Sequence, residues 1–196
     1  MYGMAPVPRA VLAPLFALRL QRVRVLALLS LCVMISYADR TNMSLAIIPI
    51  MREFGWTTAP GSDKPDEQVE GLILAAFFVG YIVTQVPGGW AAQRFGGKHV
   101  LAAGSVAWSV ATLALPWMAR VGLGWLLLLR VMLGLGEGVC FPAVHALIAA
   151  WVPDAEKSRA VAVVTAFSYS GNVLALALGA PLIEHPQLGW PWAFYL

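Results

Sequence analysis

Apolar residues in this chain fall in long unbroken runs, neither alternating nor confined to one helical face. Crossing a bilayer takes about 20 mostly apolar residues. Five runs meet that length: 25–51, 69–90, 100–119, 123–151 and 159–183. A sixth begins at "GWPWAFYL" and is cut off at Leu196. The runs are too long for barrel strands and lack a period of two, so they predict helices. The expected fold is all-α and membrane-embedded, with a basic tail over 1–24 and a transmembrane bundle over 25–196.

Composition agrees with the pattern. The chain is 60% hydrophobic and 12% charged, where a soluble domain carries about a quarter charged residues. The net charge of +3 would suit nucleic acid or acidic lipid, but its distribution reads as topology. Arg9, Arg19, Arg22, Arg24, Arg94, Lys98, Lys157 and Arg159 fall on one side of the expected membrane, and only Arg52, Lys64 and Arg120 on the other. The positive-inside rule then places the amino terminus and the second and fourth loops in the cytoplasm or its equivalent. No nucleic-acid partner is expected. The arginine-rich start fits an ordinary cytosolic tail or the remnant of an organelle presequence. Cys32 and Cys140 both lie inside apolar runs, so no disulfide framework is expected.

Four ionisable residues stand at membrane depth: Asp39 and Arg40 in the first span, Arg130 and Glu137 in the fourth. Each costs roughly 2.5–3.5 kcal/mol at a helix centre. Such residues face a bundle interior or a wet cavity, where they mark ion or substrate routes or lock helices together as buried ion pairs. Asp39 and Glu137 fall near the middles of their spans. Arg130 and Glu137, two turns apart, share a helical face. Asp39 and Arg40 are about 100° apart around theirs, so they need not meet the same partner. A midplane arginine offers a permanently charged fork for carboxylate or phosphate, and a carboxylate in a drying cavity can load and release a proton. The combination suits a proton- or cation-coupled carrier of anions.

Two features point to a repeat. "GYIVTQVPGGW" in the second span and "GNVLALALGAP" in the fifth each carry a glycine, then another eight residues on, near a proline. A three-plus-three arrangement is how many transporters are built.

The loop "GGWAAQRFGGKHV" resembles the signature of the major facilitator superfamily through Gly89, Arg94, Gly96 and Lys98, with Gln93 where the family has aspartate. "DRTNMSLAI", "FFVGYIVTQVPGG" and "RVMLGLGEGVCFPAVHALIAAWVPDAEKSRA" resemble its anion:cation symporter family, which includes sodium/phosphate cotransporters, sialin, vesicular glutamate transporters and plastid phosphate transporters. The resemblance implies the amino-terminal half of a twelve-span fold, truncated in its sixth helix, which needs the missing carboxy-terminal half to transport. It implies that Arg40 engages a small anionic substrate, with Arg130 linked to transport and Tyr37, Asn42 and Ser44 lining the cavity. Asp39 and Glu137 are implied to couple a proton or sodium, and Gly89, Arg94, Gly96 and Lys98 to form a gating loop. Leu133 stands where sialin-type members carry a second glutamate, and Leu74 aligns with a histidine of vesicular glutamate types. Both absences count against sialic acid and glutamate; inorganic phosphate is the first expected substrate, with an organic anion (carboxylate or nucleotide) as the alternative.

Other features stay outside that frame. His145 suits a proton relay or a hydrogen-bonded packing role, and "PDAEKSRA" reads as a salt-bridged cytoplasmic loop. No metal cluster, cofactor or enzyme motif is expected. A rival from another class is a truncated, non-transporting membrane subunit or regulator. Plastid envelope, vesicle and plasma membrane all fit the spans.

Overall fold

The computed structural model describes residues 9–59, 64–185 and 187–195, with residues 9–19 described by their backbone. Asp63, Leu196 and the first eight residues of the expected tail lie outside them. Six α-helices follow one another: α1 (Arg9–Glu53), α2 (Glu67–Phe95), α3 (Gly97–Val121), α4 (Leu123–Gly138), α5 (Cys140–Trp151) and α6 (Asp154–Glu184). Where a sixth span is expected to open, Trp190–Phe194 form a 3₁₀ helix.

Among the described residues, five helical stretches are long and apolar enough to cross a membrane: Leu20–Glu53, Glu67–Phe95, Gly97–Val121, Leu123–Trp151 and Asp154–Glu184. The first helix begins well before the expected residue 25: the leucine-, alanine- and arginine-rich sequence there is a good helix former, and the helix runs on through it although Pro14 lies inside it. The fourth stretch is split at Val139 into α4 and α5. Pro142 has no N–H for the Gly138 carbonyl and its ring crowds that turn, which explains the break. "PDAEKSRA" is not a loop: Pro153 opens α6, and Lys157 pairs with Asp154 at 2.7 Å within its first turn.

Local signals set the other boundaries. Gly55 takes a left-handed φ of 69° after α1, and the Trp56 N–H reaches back to the Met51 carbonyl at 2.9 Å, closing the helix as a glycine cap does. Asp66 caps α2 by accepting from the N–H groups of Gln68 and Val69, and Glu67 and Glu70 complement the helix dipole beside it. The acidic stretch after α1 thus serves partly to start the next helix.

Glycines let the helices meet at backbone distance. A Cβ on Gly80 would overlap the Val131 carbonyl, one on Gly134 the Phe77 carbonyl, and one on Gly171 the Met34 carbonyl. Close approach through small residues is the main route to helix association in lipid. The pairings also give the sequence repeat a geometry. Gly80 and Gly88 of α2 meet Val131 and Val139, while Gly171 and Gly179 of α6 meet Met34 and Asn42. The α2–α4 and α6–α1 contacts therefore have the same register, with residues 34 and 42 corresponding to 131 and 139.

Two apolar cores fill the bundle. One holds Leu29, Val33, Phe77, Trp108, Leu133, Cys140 and Val144. The other holds Met43, Ile47, Ile50, Ile73, Leu115, Leu126 and Trp190. Between them along α1, α3 and α4 lie Ser36, Asp39, Arg40, Thr112 and Arg130, a polar layer at mid-depth.

Candidate functional site

The centre of that layer is an ion pair between the first and fourth spans. Arg40 donates from Nε to Glu137 Oε2 at 2.8 Å. Ser36, one turn earlier on α1, donates its hydroxyl to the same oxygen at 2.7 Å. Glu137 is fully buried, whereas the Arg40 side chain keeps 19% of its surface exposed. The pair is end-on rather than a two-bond fork. It leaves Glu137 Oε1 and Arg40 Nη2 buried without a hydrogen-bond partner.

Position explains the pairing. The offset that relates Met34 to Val131 and Asn42 to Val139 also relates Arg40 to Glu137, which stand 97 residues apart. Two equivalent residues of a twofold repeat that touch each other lie at its axis. Arg40 and Glu137 therefore meet where the two halves of the repeat cross.

Aromatic rings hold the guanidinium in place. The Arg40 Cζ lies 4.9 Å from the Tyr37 ring centroid, 5.0 Å from Phe77 and 4.5 Å from Tyr81. Tyr37 in turn meets Phe141 edge-on. The Arg130 Cζ lies 5.1 Å from the same Phe77 centroid, and its Nε donates to the Ile73 carbonyl at 3.3 Å. Arg130 is buried, and among the described residues no carboxylate comes within salt-bridge distance of it. A buried cation without a counter-charge is costly, and an incoming anion would relieve that cost.

The remaining candidate residues part company. Asp39 turns away from Arg40, and its Oδ2 accepts from the Thr112 hydroxyl at 3.3 Å. Asn42 is buried against the 3₁₀ helix, donating to the Ala193 carbonyl at 2.8 Å. Asp39 and Asn42 line a cavity of about 170 Å³ beside α6 whose walls include neither Arg40 nor Glu137. Ser44 is exposed and bonds the Arg40 carbonyl. On the α6 side, the Thr41 hydroxyl meets Asn172 Oδ1 at 2.9 Å.

The glycine-rich loop lies at one end of the bundle, away from the ion pair. It is reduced to a single non-helical residue, Gly96, with φ of 88°. Arg94 stacks over Trp90 and Phe95. Gly89, Gln93, Gly96 and Lys98 border a cavity of about 940 Å³ that also reaches His145. His145 is exposed and bonds the Phe141 carbonyl through Nδ1 at 2.8 Å. Leu133 packs in the apolar core one turn from Glu137, leaving Glu137 as the acid on that face.

Sequence reasoning missed Ser36, Phe77, Tyr81 and Thr112. Ser36 had a signal, since it precedes Arg40 by one turn and so shares its helical face. Tyr81, one turn after Phe77 in "FFVGYIVTQ", had the same kind of signal.

The model of the Major Facilitator Superfamily matches residues 29–196. The chain belongs to that superfamily. Within it, the chain is 44% identical over 157 residues to the chloroplastic sodium-dependent phosphate transport protein 1 of Arabidopsis thaliana, covering 80% of this chain and 28% of that protein. It is also 44% identical over 157 residues to the chloroplastic ascorbate transporter of the same plant, covering 80% of this chain and 27% of that one. The chain thus spans about a quarter of the length of the curated relatives it matches. A solved bacterial homologue of the human lysosomal transporter Spinster, inward-facing and unoccupied, has the same fold, with a TM-score of 0.74, 21% identity and coverage of 89% of this chain and 39% of that chain. Superfamily membership and five membrane-length helices make this a multi-pass integral membrane protein.

Proposed function

We propose that this chain is the amino-terminal part of a secondary carrier that moves small anions, inorganic phosphate first, in symport with protons or sodium. The observation that carries the reading is the end-on pair of Arg40 with Glu137, which leaves Arg40 Nη2 buried and without a partner. Nη2 is a charge-assisted donor aimed at an acceptor that the described residues do not supply.

The mechanism follows from charge. With Glu137 ionised, the positive charge of Arg40 is neutralised and an anion gains little from approaching it. When Glu137 takes a proton, Arg40 becomes an uncompensated cation in a low-dielectric layer, where its attraction for an anion is far stronger than in water. Proton and anion then bind together, and each favours the other by the same factor. Arg130, already without a counter-charge, adds to the attraction. Tyr37 and Tyr81 hold the guanidinium plane for the anion to meet edge-on. Asp39 and Asn42, which line the cavity beside α6, would form a separate place for the coupling cation. The loop at Gly89, Arg94, Gly96 and Lys98 would gate the end of the bundle.

The carboxy-terminal half of the carrier completes the cavity, and the amino terminus faces the cytoplasm or its equivalent. The chloroplastic names of the relatives support a plastid envelope. A second reading keeps the site and changes the cargo to an organic anion, because an ascorbate transporter matches this chain as well as a phosphate transporter does.

The test is counterflow in liposomes holding the complete carrier, with phosphate, ascorbate, glutamate, sialate and ATP, each with and without sodium. Phosphate is expected to exchange fastest, and residues 1–196 alone are expected to exchange nothing. Exchange of ascorbate but not phosphate would move the assignment to the organic anion. Exchange of none of the five would sink the carrier reading.

A further inference from the structure

We propose that Ser36 is a positioning residue for coupling, whose hydroxyl holds ionised Glu137 on Arg40 and so sets how readily Arg40 is released to the anion. This rests on the functional reading of Arg40 and Glu137 given above. Both donors come from α1, one turn apart, and both land on Glu137 Oε2, at 2.7 Å from Ser36 and 2.8 Å from Arg40. The other oxygen, Oε1, is buried with no partner. The carboxylate is therefore fixed along one edge by two bonds, and half of that fixation is neutral. Ser36 itself is 2% exposed, so its bond is shielded from bulk water.

The remaining charged groups of the layer cannot replace it. Arg130, on the same helix as Glu137, donates to the Ile73 carbonyl and lies over the Phe77 ring rather than pairing with Glu137. Asp39 is turned to Thr112 on α3. No other cation pairs with Glu137 among the described residues. Removing the Ser36 hydroxyl leaves ionised Glu137 with Arg40 alone. The neutral form of Glu137, which no longer holds Arg40 by charge, gains relative to the ionised one. The outcome has an unusual sign, because losing a bond at the site should tighten the anion.

In the complete carrier, Ser36→Ala is expected to lower the KM for phosphate at neutral pH by about tenfold or more, the scale of one hydrogen bond to a charged group. The KM should also vary less between acidic and neutral pH, and Ser36→Thr, which keeps the hydroxyl, should behave as wild type. A second readout needs no substrate: the infrared carbonyl band of protonated Glu137, identified by its absence in Glu137→Gln. In Ser36→Ala that band is expected to persist to more alkaline pH, and in Ser36→Thr to match wild type. An unchanged band in Ser36→Ala, or an equal change in Ser36→Thr, overturns the proposal whatever the uptake. A shifted band in a carrier that takes up no phosphate supports the role of Ser36 and counts against the functional reading alone.

Discussion

Arg40→Ala is expected to abolish anion uptake by the complete carrier and to destabilise it at the same time. Truncating one partner of a buried, hydrogen-bonded charge pair costs about 3–5 kcal/mol, because the other charge is left buried and uncompensated. The fully buried Glu137 would be that orphan, keeping only the Ser36 hydroxyl. On the transport side, loss of the guanidinium removes the free Nη2 donor, and a reduction in uptake of 100-fold or more is the scale expected, about 3 kcal/mol or more. Arg40→Lys should recover part of the stability and little of the uptake. An ammonium neutralises Glu137 but lacks the planar fork that Tyr37, Phe77 and Tyr81 hold in place. Adding Glu137→Ala to Arg40→Ala removes the orphan charge, so thermal stability should return while uptake stays lost. Thermal unfolding in detergent and uptake in liposomes, run on the same variants, separate the two effects. Recovery of uptake in the double variant would remove Arg40 from the anion site.

Gly134→Ala is expected to give the largest purely structural effect. Its added Cβ would be driven into the Phe77 carbonyl, with the Tyr81 N–H also in the way at 2.9 Å. Both are backbone atoms and cannot swing aside as a flexible side chain would. Overpacking of a tight contact costs about 1–3 kcal/mol, and more where backbone must move. Because Phe77 and Tyr81 also hold Arg40, separating α2 from α4 should loosen the site and reduce uptake as well. Gly124→Ala, in the same helix, is the matched control: its Cβ would meet nothing within 4 Å. That substitution should be neutral or slightly stabilising, since alanine restricts the unfolded chain and favours the helix. Equal loss of thermal stability in both variants would contradict the glycine contact as the basis of α2–α4 packing.

Most of the fold was legible because lipid-spanning helices advertise themselves by length and apolarity. The helix ends moved by a few residues except at α1, where good helix formers extend beyond the apolar run. The kink at Val139 had a visible cause in Pro142, but its consequence, setting Glu137 two residues before a break, needed coordinates. The site was legible in depth and not in direction. Placing Asp39, Arg40 and Glu137 near mid-span followed from counting residues. Which group faces which depends on how each helix is turned against its neighbours, and period alone does not set that. Arg130 shares a face with Glu137 by spacing, yet it bonds a carbonyl of α2 while Arg40 takes the carboxylate. Asn42, grouped with Arg40 from the motif, sits on the other side of α1 against Ala193. The glycine repeat held more information than it showed, because its common register makes residues 40 and 137 equivalent positions of the two halves.

The central claim is that Glu137 controls Arg40 by gaining and losing a proton, and Glu137→Gln in the complete carrier tests it most directly. Glutamine resembles the protonated acid and cannot become charged, so Arg40 should stand free for the anion at every pH. Exchange of the anion taken up by wild type is expected to continue and to lose its dependence on pH, while net uptake driven by a proton gradient is lost. Loss of exchange together with uptake, or proton-driven uptake that persists in Glu137→Gln, would contradict it.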